Sequence, residues 1–156
     1  MTRDDRFREL ANELGYRFDG EIKIGGSYAP LVRDGNHLYV SGQIPRVEDT
    51  VVVTGPAGSE TSLQRAQTGA RICALRALAI LQRALGTLER VTAVPRLTVY
   101  VQSASTFTQQ SEVADGASEI ILGVLGTAGT HTRTSVGVLQ LPKNATVEID
   151  LIATAD

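Results

Sequence analysis

The sequence has few of the residues that mark several large classes of protein. Among 156 residues there is one cysteine and no tryptophan, and 4% are aromatic. A single cysteine cannot form an internal disulfide or an all-thiolate metal site, which disfavours a disulfide scaffold or a zinc finger. No run approaches the ~20 apolar residues of a membrane span, and the charged residues 1–10 are unlike a signal peptide. We therefore expect a globular, cytoplasmic protein without membrane segments.

The charge of the chain is nearly balanced. It has 15 lysines and arginines against 17 acidic residues, for a net charge of −2. Such a chain has no overall field that would gather polyanions, so nucleic-acid binding is unlikely. The length fits one compact domain, and no linker rich in proline, glycine or serine divides it. We expect a single domain over residues 1–156.

The spacing of apolar residues predicts an α+β fold. Grouped strands and grouped helices favour a layer in which the two long helices cover one face of a sheet. Because the strands are apolar on both sides, we expect self-association to cover the other face. The predicted helices span residues 4–14, 61–85 and 105 or 106 to 125, and the predicted strands span residues 22–24, 30–33, 37–43, 50–54, 97–101, 134–139 and 146–153.

Three arginines fall on one side of the longest predicted helix, opposite its apolar stripe: Arg65, Arg76 and Arg83. A row of cations on a helix is able to follow a phosphate backbone. Charged side chains more often face solvent. We therefore interpret this row as a solvated face.

Few residues point to a known catalytic apparatus. There is no glycine-rich phosphate loop, no His-Glu-x-x-His and no Cys-x-x-Cys, and the two histidines, His37 and His131, are far apart. This pattern disfavours both metal catalysis and a Ser-His-Asp triad, so we predict no metal and no cofactor. His131 is close to Arg133 in sequence, and we interpret it as a loop histidine in water.

Arg133 begins a strongly β-like segment. A guanidinium is always charged and carries a planar fork of donors that suits a bidentate carboxylate. The alternative, an exposed arginine at a strand edge, is what general residue statistics favour. From the residues alone both interpretations remain open.

Glu148 lies in an alternating segment in which it shares one strand face with Asp150. That face is either simply exposed, or it holds a partly buried carboxylate that orients a water molecule. The strands of Arg133 and Glu148 are linked by a short connection, so we expect them to be adjacent and the two side chains to be able to meet.

Four short strings occur in order along the chain: VSGQIP (residues 40–45), RTSVGV (133–138), LPKN (141–144) and VEID (147–150). Together they resemble the YjgF-like or Rid family, the reactive intermediate deaminases also called L-PSP endoribonucleases. The resemblance covers residues 24–156 and leaves residues 1–20 as an N-terminal helical extension. It implies a chorismate-mutase-like mixed sheet with two helices on one face, and a homotrimer with ligand sites between subunits.

The resemblance also implies an activity: hydrolysis of 2-imino or enamine acids, such as 2-aminoacrylate, to 2-keto acids and ammonia. It assigns the substrate carboxylate to Arg133 and the attacking water to Glu148. It further implies that a small carboxylate metabolite is the partner and that no cofactor is needed. Four other residues are implied to line the substrate site: Tyr28, Ser41, Gly42 and Ser135.

Two positions depart from the family pattern, with Ser111 where better-known deaminases have asparagine and Ser135 where cysteine is frequent. These changes keep the carboxylate anchor but leave the substrate open. Two other functions therefore remain: a non-catalytic trimer that binds a small carboxylate, and an endoribonuclease that uses the arginine row.

Overall fold

The computed structural model describes residues 1–20 and 22–156. The α-helices found there are α1 (Arg3–Leu14), α2 (Leu63–Leu85) and α3 (Gln110–Leu125). The strands are β1 (Leu31–Asp34), β2 (His37–Gln43), β3 (Arg46–Val47), β4 (Thr50–Val51), β5 (Val91–Gln102), β6 (Thr132–Val138) and β7 (Val147–Ala155). Short 3-10 helices cover Leu88–Arg90, Gly126–Gly129 and Pro142–Asn144. The predicted α+β class is confirmed.

Five strands form one mixed sheet in the order β1-β2-β7-β5-β6. Neighbours are antiparallel except β5 and β6, which are parallel because α3 carries the chain back between them. Helices α2 and α3 pack on each other and on the same face of the sheet. β3 and β4 form a separate ribbon, so the prediction of a full strand over residues 50–54 is wrong: only Thr50–Val51 pairs, and it does so outside the main sheet.

Helix α2 is the centre of the core. Its amino end is capped by Ser62, whose hydroxyl accepts a 3.1 Å hydrogen bond from the Arg65 N–H. Thr61 lies outside the helix and donates its hydroxyl to the Thr54 carbonyl. The helix ends at Gly86, whose φ of 85° needs a residue without Cβ. Most of α2 is buried, since the sheet and α3 cover different sides of it.

Helix α1 docks on the helical layer through α2 and α3. Its apolar stripe is buried at Phe7 and Ala11. Asp4 accepts hydrogen bonds from the Leu88 N–H (3.1 Å) and the Gln82 amide (2.7 Å), which fixes the helix beside the end of α2. The N-terminal helical extension therefore packs against the helical layer.

Two predicted boundaries are wrong. Residues 22–24 form no strand, because the Lys23 carbonyl bonds to an α2 side chain instead of a neighbouring strand. Helix α3 begins at Gln110 and not at Ser105 or Thr106, since a turn from Ala104 to Phe107 comes first. None of the described helices is long and apolar enough to cross a membrane.

The sheet face opposite α2 and α3 mixes polar and apolar side chains. Tyr39 is 45% exposed and Val136 is 39% exposed, and Tyr100, Asp150 and Ile152 share this face with them. Hydrophobic cover is therefore present on one side only, and the expectation of strands apolar on both faces is wrong.

Candidate functional site

Glu148 occupies the open face of β7. Its neighbours Val147 and Ile149 are fully buried on the helix side, so alternation turns the glutamate to the other side. The carboxylate nevertheless remains partly buried, because it lies against the backbone of Gly42 in β2. A Cβ at residue 42 would overlap Oε2 of Glu148, so this close approach requires glycine.

A bulge in β2 creates this approach. Val40 pairs with Leu151 and Gln43 with Ile149, so three steps along β2 correspond to two along β7. Bulges bend a strand and re-aim its side chains, and they are frequent beside active sites. The extra residue brings the backbone of Gly42 to the Glu148 carboxylate.

Burial is the main cause that raises the pKa of Glu148, and the nearby charge of Asp150 adds to it. The pKa of Asp150 is also raised, again by burial first, although a hydrogen bond from the Tyr100 hydroxyl (3.1 Å) opposes the rise. A carboxyl group whose pKa moves toward neutrality is suited to proton exchange with a bound reactant.

Glu148 and Gly42 lie in a pocket of about 230 Å³. Tyr28, 52% exposed, forms part of its wall. The polar lining is mostly cationic, with Glu148 as its one acid among the described residues. The remaining lining residues are Lys23, Ile24, Gly25, Gln43, Ile44, Arg46, Arg76, Pro142 and Lys143.

Arg76 forms the inner wall of the pocket and is 3% exposed. Its guanidinium donates to the Gln43 side chain (3.1 Å) and to the carbonyls of Arg46 and Lys23 (both 2.8 Å). Burial is the largest cause that lowers its pKa, to about 10, and the charge of Arg46 contributes. The interpretation of Arg76 as part of a solvated face is therefore wrong.

The other two arginines of that row bind backbone carbonyls at the surface. Arg65 donates to the Val52 carbonyl at 2.7 Å, and Arg83 donates to the Gly20 carbonyl at 2.8 Å. The three side chains thus hold loops onto α2.

Two cations of the pocket lack a close ion pair with the described residues, although the charge of one of them, Arg46, helps to lower the pKa of the nearby Asp49. Arg46 and Lys143 form no ion pair with any described residue, and the buried Nε of Arg46 has no hydrogen-bond acceptor within the described chain. Lys23, at the edge of the pocket, is paired with Asp49. The pocket therefore carries positive charge that its own residues do not neutralise.

Arg133 lies elsewhere, on the edge strand β6. Its side chain is 20% exposed, and its two terminal nitrogens donate four hydrogen bonds to α3. The acceptors are the Asp115 carboxylate (2.9 Å), the Ser118 hydroxyl (3.0 Å), and the hydroxyl (2.9 Å) and carbonyl (3.2 Å) of Ser111. The fork is thus already bound to a carboxylate of its own chain.

His131 belongs to the same cluster. Its Nδ1 donates to the Gly129 carbonyl (2.6 Å), and its Nε2 is 2.8 Å from the Ser118 hydroxyl, which also accepts from Arg133. The ring is partly buried beside a shallow groove that includes Ser118 and Arg133. The interpretation of His131 as a loop histidine in water is wrong.

Arg133 and Glu148 of one chain do not meet. Strand β5 lies between their strands, so the expectation of adjacent strands is wrong. Arg133 pairs across the sheet with Leu97, whereas Glu148 pairs with Tyr100, three residues further along β5. Cross-strand partners share a face and successive residues alternate, so the two side chains lie on opposite faces.

The remaining predicted residues divide between these regions. Ser41 precedes Gly42 in the bulge, but its hydroxyl donates to the Ala29 carbonyl at 2.7 Å and holds the loop that carries Tyr28. Ser135 shares the helix-side face of β6 with Arg133 and pairs with Val99, away from the pocket. Tyr28, Gly42 and Glu148 are brought together; Arg133, Ser41 and Ser135 are not in that group.

Sequence reasoning missed the pocket cations and Asp115. Lys143 was part of a family-like string without an assigned role, and Arg46 directly follows VSGQIP. Asp115 and Ser118 lie at successive turns of a helix from Ser111, a spacing that places all three on one helix face. That spacing is the signal that would have found the partners of Arg133.

Solved structures share this architecture of one mixed sheet covered by two helices. Protein Atu1372 of Agrobacterium tumefaciens is 38% identical, with a TM-score of 0.88 over 99% of this chain and 95% of that one. Escherichia coli TdcF, solved with bound serine, is 25% identical, with a TM-score of 0.62 over 85% of this chain and 91% of that one.

The sequence comparisons agree with the fold. A family model described as "YjgF/chorismate_mutase-like, putative endoribonuclease" matches residues 15–155. Protein TCP17 of Trypanosoma cruzi is 41% identical over 140 residues, which cover 89% of this chain and 88% of that protein. The chain belongs to the YjgF/chorismate-mutase-like family, which confirms the resemblance found in the four sequence strings.

Proposed function

We propose that the protein hydrolyses reactive 2-imino acids to 2-keto acids and ammonia, and that Glu148 orients the attacking water. The observation that carries this proposal is the Glu148 carboxylate, held against Gly42 in a pocket lined by cations. Its raised pKa suits a group that accepts a proton from water and returns it to nitrogen.

The proposed reaction needs only a positioned water and a proton carrier, because the substrate is already reactive. The imine carbon is electrophilic, so water adds to it while Glu148 takes one of the water protons. Glu148 returns this proton to the nitrogen, which gives a carbinolamine. The hydroxyl proton of the carbinolamine then passes to the nitrogen in the same way, the C–N bond breaks, and ammonia leaves as the keto group forms. One water is consumed and no electrons are exchanged. Holding the substrate in the correct orientation supplies much of the rate enhancement.

Arg133 is proposed to bind the substrate carboxylate from an adjacent protomer. Within one chain it faces away from Glu148, so a shared site requires a second copy. The exposed edge strand β6 and the partly apolar open face of the sheet support self-association, as does the trimer that the resemblance implies. TdcF, solved with bound serine, offers a precedent for a small amino-acid-like ligand in this fold.

The test is a coupled assay in which an amino-acid oxidase generates the imine and its conversion to keto acid is followed. Glu148→Gln is expected to lower kcat about 100- to 10,000-fold, the usual range for removing a general base. Arg133→Ala is expected to lower kcat/KM about 10- to 100-fold, and Arg133→Lys to restore it poorly because an ammonium lacks the planar fork.

Glu9→Gln, an exposed change on α1, is the matched control and is expected to behave as the wild type. The mass of each variant in solution, measured by ultracentrifugation, separates lost chemistry from lost assembly. Turnover of the Glu148→Gln protein at the wild-type rate would contradict the proposal.

A non-catalytic carboxylate-binding protein is the alternative that one observation favours. Asp115, Ser111 and Ser118 already occupy the terminal nitrogens of Arg133, which weakens its attraction for a substrate. Calorimetric binding of 2-oxobutyrate without acceleration of any imine would favour this alternative.

Endoribonuclease activity receives no support from the arginine row. Arg76 is buried with its donors occupied, and Arg65 and Arg83 are bound to backbone carbonyls. A track for phosphates needs exposed cations with donors available.

A further inference from the structure

The pocket around Glu148 holds more cations than the proposed reaction uses. A simple 2-imino acid has one carboxylate, and the proposed function assigns that group to Arg133 from another protomer. Arg76 already donates hydrogen bonds to acceptors within the chain, and Lys23 is paired with Asp49. Arg46 and Lys143 form no ion pair with the described residues; Asp49, whose pKa the charge of Arg46 helps to lower, is bound by Lys23. Neither cation has a role in the hydrolysis itself.

The surroundings of Arg46 favour a bound anion. Its Nε is buried and makes no hydrogen bond within the described chain, and a buried donor without an acceptor destabilises the site. Its charge also lies near Arg76, whose pKa it helps to lower. An acid group that drew the Arg46 guanidinium toward it would supply an acceptor and reduce the repulsion between the two arginines.

Lys143 is held at the same pocket by an unusual backbone. Lys143 and Asn144 have φ values of 59° and 58°, in the left-handed region that non-glycine residues rarely adopt. Asn144 is fixed by its neighbours: its carbonyl accepts from the Gly55 N–H (2.9 Å) and its side chain from the Gln102 amide (3.2 Å). A strained turn secured in this way is typical of functional sites.

We propose that the pocket recognises 2-imino or 2-keto acids that carry a second acid group on the side chain, and that Arg46 and Lys143 bind this second group. The inference rests on the proposed function for its substrate class. It assigns Arg133 and Arg46 to opposite ends of a dicarboxylate, with the reacting carbon between them beside Glu148.

The experiment compares binding of 2-oxoglutarate, 2-oxobutyrate and inorganic phosphate by calorimetry. The wild type is expected to bind the dicarboxylate at least 10-fold more tightly than the monocarboxylate. In Arg46→Gln this ratio is expected to fall to about 1, and in Lys143→Gln to fall several-fold. Arg17→Gln, an exposed arginine without a hydrogen-bond partner in the described chain, is the matched control and should keep the ratio.

A wild-type ratio near 1, or a ratio that survives in both pocket variants, would overturn the inference. Phosphate binding as tight as that of 2-oxoglutarate would also overturn it, since the pocket would then select any anion. Because the readout is binding, a dicarboxylate preference without imine turnover would reject the proposed function and leave the inference standing.

Discussion

Arg133 at the sheet edge and Arg46 in the Glu148 pocket have opposite surroundings. The terminal nitrogens of Arg133 are bound to Asp115 and two serines of α3, so the charge is partly neutralised and the side chain is fixed. Arg46 is next to another cation, and its buried Nε has no acceptor among the described residues, while Asp49 nearby is already bound by Lys23. The first arrangement is complete within one chain, whereas the second becomes complete when an anion binds.

This difference between Arg133 and Arg46 shows at which arginine a ligand carboxylate gains more binding free energy. A carboxylate that binds Arg133 must compete with Asp115, so it gains less than it would from a guanidinium without an acidic partner. A carboxylate that binds Arg46 displaces no side-chain hydrogen bond made by the described residues, so the whole charge-assisted hydrogen bond is gained. The residue most apparent in the sequence is therefore the one whose hydrogen bonds are already made.

The largest expected effect on turnover comes from a change in the Glu148 pocket that leaves Arg133 on the edge strand β6 intact. In Gly42→Ala the new Cβ overlaps Oε2 of Glu148, which must move away from its position. We expect kcat to fall about 100-fold or more, comparable with loss of a general base. The measurement is the coupled imine assay.

Gly20→Ala is the control, since nothing lies within 4 Å of its Cβ position. Urea unfolding of both variants shows whether the sheet tolerates the change. Wild-type turnover by Gly42→Ala would mean that Glu148 does not act from its place in the bulge.

Much of the fold was predictable because periodicity is local. The alternation in β7 correctly separated Val147 and Ile149 from Glu148, and Gly86 marked the end of α2. The start of α3 was not predictable, because its first residue follows Gln109, which makes no side-chain cap. Strand order was also beyond reach, since the pairing of β5 with both β6 and β7 depends on contacts distant in sequence.

The site was predictable only in part, and for a similar reason. Family resemblance located Gly42, Glu148 and Tyr28, which do share a pocket. Arg76 was misassigned because a helical wheel assumes one buried side, whereas α2 is covered on several sides. The lack of an acceptor for the Arg46 Nε among the described residues arises from tertiary packing, and no spacing in the sequence encodes it.

An intermediate effect, on ligand affinity, is expected when Arg133 loses its acidic partner and so resembles Arg46. Asp115→Asn removes the carboxylate that competes for the guanidinium, so a ligand carboxylate should bind about 2- to 5-fold more tightly, the effect of one modest charge interaction. Titration with 2-oxobutyrate measures this change. Glu119 is on the same helix as Asp115, and Glu119→Gln breaks its ion pair with Arg71 of α2. This variant is the control and should have no effect on affinity. Weaker binding by Asp115→Asn would show that Asp115 positions Arg133 rather than competing for it.

The smallest expected effect concerns stability and follows from the raised pKa of Glu148. A carboxyl group whose pKa is higher in the folded than in the unfolded state destabilises the fold once it is ionised, so the contribution of Glu148 to wild-type stability should fall as pH rises above about 4.5. Glu148→Gln should therefore be more stable at pH 7 by less than ~1 kcal/mol, or about 2 °C in Tm, because partial exposure screens the charge. The gain should vanish at acidic pH, where the wild-type carboxyl is protonated.

Thermal unfolding between pH 4 and 7, with Glu9→Gln as the exposed control, measures the difference in stability. A stability loss in Glu148→Gln at neutral pH would indicate that the cations of the pocket stabilise the Glu148 carboxylate more than burial destabilises it. The pocket cations would then be partly neutralised within the chain, as Arg133 is by Asp115, and the contrast between the two regions would be smaller.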